Sequence, residues 1–150
     1  MSVSPSNNNA LGGAIRVERS AANLPQSTQS ALFTVSGKVL VCDIVGEVTN
    51  VVQAGANNMK LVSNPTVGAD VDLCATVDIA AAAVGSMFNI SGTLSDAMVK
   101  TASGAFVSQA SPIVVSDGTI DLSCDASKTG KIKWVLFYLP LASGATIVTA

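Results

Sequence analysis

Histidine is absent from this chain of 150 residues. Its absence removes the commonest general acid–base side chain, and with it the Ser-His-Asp and Cys-His schemes of nucleophilic catalysis. Charge is scarce too. Asp, Glu, Lys and Arg make up 12% of the chain, about half the share of an average soluble domain. The eight bases, Arg16, Arg19, Lys38, Lys60, Lys100, Lys128, Lys131 and Lys133, are scattered, and only the last three lie close together. That trio reads as a solvated turn and strand edge. With a net charge of −2 and a pI near 4.8, no nucleic-acid partner is expected. Long apolar runs are also missing. The stretch Trp134–Ala142 contains Pro140 and is about half as long as the ~18–20 residues of a spanning helix, so no membrane partner is expected. The start, MSVSPSNNN, has neither the basic residues nor the apolar run of a signal peptide.

Recognisable site chemistry is equally thin. No GxxxxGK[ST], GxSxG or helix-opening GxGxxG occurs. The ten acids are Glu18, Asp43, Glu47, Asp70, Asp72, Asp78, Asp96, Asp117, Asp121 and Asp125. Nothing in their spacing pairs two of them as a glycosidase requires. Asp70-x-Asp72 lacks the Gly and Glu of an EF-hand loop, so these acids read as solvated groups on an outer sheet face. The three cysteines, Cys42, Cys74 and Cys124, are odd in number and form no CxxC pair. Each lies in an apolar, strand-like run, so all three are expected as reduced core or sheet residues of a protein made in a cytosol. The chain is therefore expected to be no enzyme, with no catalytic residue, no cofactor site and no metal site.

What is present is apolar. Hydrophobic residues make up 49% of the chain and mean hydropathy is +0.51. Two readings follow. Small exposed alanines inflate the apolar count, or part of the surface is covered by other chains.

Residues Met1 to Ser30 are rich in Ser, Asn, Gln and Ala. They are expected as a polar arm ahead of a sandwich domain over 31–150, either mobile or laid along a neighbour. Within the arm, Ile15 and Val17 alternate with Arg16 and Glu18 as in an edge strand. From Ala31 onward, runs rich in Val, Ile and Thr alternate with Gly, Asn, Asp, Ser and Pro clusters. Strands are expected at Leu32–Val35, Lys38–Thr49, Met59–Ser63, Asp70–Ile79, Ser86–Ser91, Thr93–Lys100, Ala105–Gln109, Ile113–Ser116, Thr119–Cys124, Lys131–Leu139 and Thr146–Val148. Gly46 suggests a bulge or bend. Ala80–Val84 suggests one helical turn, and Ser91-Gly92 a hairpin. In Lys131–Leu139, Ile132, Trp134, Leu136 and Tyr138 share one face. The other face begins with Lys131 and Lys133 and turns apolar at Val135, Phe137 and Leu139. VDLC at Val71–Cys74 resembles IDLSC at Ile120–Cys124, a short hint of repetition. Short strands without a long helix predict an all-β fold, a β-sandwich or jelly roll with an extended N-terminal arm.

The stretches GKVLVCDIVGEVTN (Gly37–Asn50), KLVSNPTVGADVDLCA (Lys60–Ala75) and GTIDLSCDAS with GKIKWVLFYLPL (Gly118–Leu141) resemble small structural proteins of tailed bacteriophages, most closely in character capsid cement or decoration proteins. The resemblance is one of texture and spans the β portion. It implies a virion component assembled in the bacterial cytoplasm as a dimer or trimer, clamping the major capsid protein or other virion proteins. Tail, baseplate and head-fibre proteins share the texture. A glycan- or cell-surface-binding module is the alternative from another class. The expected contact surfaces are Met1–Ser30 and the apolar outer faces of Lys38–Thr49 and Lys131–Leu139.

Overall fold

The computed structural model describes residues 13–102 and 104–150. Twelve strands form two antiparallel sheets packed face to face. Sheet I contains β1 (Ile15–Asn23), β11 (Lys131–Pro140), β3 (Val39–Asn50), β7 (Met87–Asn89) and β8 (Val99–Thr101), in that order, with β9 (Ile113–Val115) also paired to β3. Sheet II contains β12 (Thr146–Thr149), β2 (Gln29–Ser36), β10 (Gly118–Cys124), β4 (Asn58–Pro65) and β5 (Val71–Asp72), with β6 (Val77–Asp78) also on β4.

The chain passes back and forth between the layers. Taking β5 and β6 as one position and setting aside the marginal β8, β9 and β12, sheet I reads 1-8-3-6 and sheet II reads 2-7-4-5. That is jelly-roll order. No helix occurs among the described residues.

The core follows from strand alternation. On β11 the inward residues Ile132, Trp134, Leu136 and Tyr138 are all buried, and they meet Phe33, Leu61, Ile120 and Ile147 from sheet II within one apolar cluster. Trp134 is 1% exposed. Its ring lies over Gly46, where a Cβ would stand 2.7 Å from the ring. Gly46 is therefore no bulge. It pairs in register with both Trp134 and Phe88, and its lack of a side chain makes room for the indole. The register shifts instead fall between Val41 and Asp43 and between Val48 and Asn50, so the extra residues are Cys42 and Thr49.

Several expectations are corrected. The sandwich begins inside the segment expected as an arm, since β1 covers Ile15–Asn23 and Gln29–Ser30 open β2. Residues 1–12 lie outside the described residues. The single strand expected over Asp70–Ile79 is two short ones. Between them both Leu73 and Cys74 turn inward, Leu61 N–H reaches Cys74 Sγ at 3.4 Å, and Ala75 bonds across to Asp96 and Met98. Two successive inward residues break the alternation. Ala80–Val84 forms turns rather than a helical turn, with Ala81 at φ 55°. β7 and β8 do pair, but nine residues separate them instead of a tight hairpin. Ala105–Gln109 is not a strand. Gln109 fills the gap along β3 between β7 and β9, its side-chain amide donating to the carbonyls of Val41 (3.1 Å) and Ser111 (2.9 Å).

Candidate interaction surface

The two outer sheet faces differ in kind. On sheet II the outward positions of the central strand β10 are Thr119, Asp121 and Ser123, between Gln29 of β2 and Lys60, Val62 and Asn64 of β4. Asp121 is 4% exposed but well partnered. It accepts from Thr119 Oγ1 (2.6 Å), Gln29 Nε2 (2.8 Å) and Asn64 Nδ2 (3.1 Å). Gln29 also donates to Asp70 (3.0 Å), and Lys60 pairs with Asp72 at 2.9 Å. A buried carboxylate with three donors is satisfied. This face bonds to itself.

On sheet I the register stacks apolar side chains side by side. Val135 of β11 lies opposite Val45 of β3, Leu139 opposite Leu40, and Leu40 opposite Val114 of β9. Phe137 stands between Arg16 of β1 and Asp43 of β3. Val114 is 55% exposed and the others in the stripe are half-buried. The rim is charged, with Arg16 and Glu18 on β1 at 2.6 Å and Lys133 and Glu47 at 3.8 Å. Beyond Val114, a shallow cleft is walled by Val71, Leu94 and the 88% exposed Val67. The apolar surface thus runs from β11 across β3 and round to the β4–β5 loop. A contiguous apolar face with a polar rim is the usual form of a protein contact surface.

Of the surfaces expected from the sequence, the outer faces of Lys38–Thr49 and Lys131–Leu139 are brought together as one. Half of the described part of Met1–Ser30, strand β1, forms the sheet edge beside them. Arg19 escaped sequence reasoning. It shares the inward face of β1 with Ile15 and Val17, and its Nη1 donates to the carbonyls of Leu32 (3.1 Å) and Ala150 (2.8 Å), closing one open side of the sandwich. The alternation of Ile15 and Val17 already points Arg19 inward.

The remaining acids hold loops. Asp117 accepts from Gly37 N–H (2.9 Å) and Thr66 Oγ1 (3.0 Å), and these bonds hold its carboxyl below the usual range. The backbone N–H groups of Asn57 and Ala80 do the same for Asp78. The Asn58 side-chain amide and its backbone N–H do so for Asp125. No group of three or more metal-ligating side chains converges among the described residues.

The cysteines are free. Burial raises all three thiols, and Cys124, with Asp125 beside it, is pushed up to about 12. A raised thiol has less of the thiolate character on which reactivity depends. Four of the six aromatics are buried, and Phe106 and Phe137 are half-buried.

No family model, no curated protein and no solved structure matches the chain. No described helix is long and apolar enough to cross a membrane.

Proposed function

We propose that this protein is a structural component of a tailed-phage virion, most specifically a capsid cement protein that binds and stabilises neighbouring capsid subunits. The observation that carries the reading is the contrast between the outer faces. The outer face of sheet II meets its own hydrogen-bonding needs, whereas that of sheet I presents Leu40, Val45, Val114, Val135, Phe137 and Leu139 to the exterior. Jelly rolls recur in viral capsid domains. The hydrogen bonds of Asp78, Asp117 and Asp125 fasten the loops between strands, which suits a body that clamps its neighbours. Capsid symmetry repeats each contact many times, so modest individual contacts sum to firm attachment.

Co-assembly with the major capsid protein encoded nearest to it tests the reading. The expected result is stoichiometric co-sedimentation with assembled shells, abolished by Val135→Asp with Leu40→Asp in a variant that still folds. Shells that assemble without retaining the protein at any ratio would exclude a cement role. Retention on tails alone would move it to the tail.

A further inference from the structure

We propose that two copies of this chain pair antiparallel through β1, about a two-fold axis normal to sheet I at Val17. Among the described residues the edge strands of the sandwich are unequal. β12 has four residues, β8 three, and β5 and β6 two each, whereas β1 has nine. Along its far side β1 has no paired strand among the described residues. Every second residue there presents its N–H and C=O away from β11, as a template for another strand. The regular stretch is Ile15–Arg19. Beyond Arg19 a bulge breaks the register with β11. Val17 is the centre of that stretch.

The charges select the partner and the register. Arg16 and Glu18 stand on the same face, as their 2.6 Å contact within one chain requires. About an axis at Val17, Arg16 of one copy lies opposite Glu18 of the other, and the converse pair repeats it. Four charges then alternate in sign around a square. Sliding by two residues in either direction sets Arg16 against Arg16 or Glu18 against Glu18, which repels. Sliding by one turns a sheet face over. The strand therefore favours one register with a second copy and penalises its neighbours. In that register Val135 and Phe137, which flank Glu18 and Arg16 on β11, flank the seam on both sides. The apolar stripes of the two copies become one continuous sheet face.

This pairing stands independently of the capsid reading. A dimer that ignores capsid shells would leave it intact, and a monomer that coats them would leave the other intact. The test is the solution mass of the full chain by sedimentation equilibrium, for the wild type and for Arg16→Glu and Glu18→Arg. The expected wild-type species is two chains. Each single reversal turns two attractive cross-strand pairs repulsive and weakens dimerisation by about tenfold or more. Mixing the two variants restores the dimer, because one supplies two glutamates and the other two arginines. An effect confined to the Arg16–Glu18 contact within one chain cannot be rescued by mixing. The double exchange Arg16→Glu with Glu18→Arg dimerises like the wild type. A wild type that stays monomeric, a three-chain species, reversals without effect, or a mixture that stays monomeric would each overturn the proposal.

Discussion

The outer faces of the two sheets are built from similar strands and end in opposite states. At the centre of sheet II, Asp121 gathers Thr119, Gln29 and Asn64 into a closed set of hydrogen bonds. At the matching place on sheet I, Val135 meets Val45 and Phe137 stands beside Arg16, half-buried side chains with no hydrogen-bonding groups of their own. A polar face can be completed within one chain because each donor finds an acceptor across the strand. An apolar face has no such partner to find, and only another apolar surface removes it from water. Internal closure on one side and an open apolar side give the molecule a front and a back.

The contrast depends on β11 holding its register, so the most disruptive change lies beneath it. Trp134→Ala should cost about 3–5 kcal/mol, and Gly46→Val, which drives a side chain into the Trp134 ring, about 1–3 kcal/mol or more. Chemical denaturation reads both. Asp121→Ala should cost about 1–3 kcal/mol, because three donors lose their acceptor. Val135→Thr, the corresponding change on the other face, should cost under about 1 kcal/mol in the isolated chain while weakening any assembly. A larger loss at Val135 than at Asp121 would erase the distinction between the faces. Lys60→Ala and Lys133→Ala, each removing one surface ion pair, should both change stability by no more than about 1 kcal/mol.

Acid should act on one layer first. Asp78 lies in β6, Asp117 and Asp125 flank β10, and all three carboxyls are held below their ordinary value of 3.8. A lowered folded-state value means the stabilisation is complete above the unfolded value and is lost as pH falls through the folded one. Amide exchange followed through acidification should therefore show Gly37, Asn57 and Asn58 losing protection before the β3–β11 ladder. Asp117→Asn should remove the pH dependence at Gly37. Simultaneous loss in both sheets would refute a layer-specific role for these carboxylates.

Much of the layering was legible in the residues themselves. The alternation from Ile132 to Tyr138 gives the buried face of β11 correctly, and its apolar opposite face from Val135 to Leu139 marks the half-buried outer stripe. The limits of that reading are physical. VDLC at Val71 and IDLSC at Ile120 look alike, yet Asp72 is exposed and Asp121 is buried. The difference comes from Gln29 and Asn64, far away in the sequence. Alternation over Asp70–Ile79 misled because Leu73 and Cys74 both turn inward, a local break that period-two reasoning does not detect. Strand order stayed hidden because nearly every pairing joins distant segments. Gly46 reads as a bulge in the sequence, and only the position of the Trp134 ring explains it.

The back-and-forth path between layers also sets a timetable for synthesis. β11 lies between β1 and β3, and β10 lies between β2 and β4. Until residues 118–140 have been made, neither layer has its middle plank: β3 and β4 pair only with the short strands β5, β6, β7 and β9, and β1 and β2 have no neighbour among the described residues. The growing polypeptide must wait with its Val- and Ile-rich ribbons uncovered, at the slow end of folding behaviour. A stop codon placed just before Gly118 would therefore release an insoluble product rather than a smaller working protein.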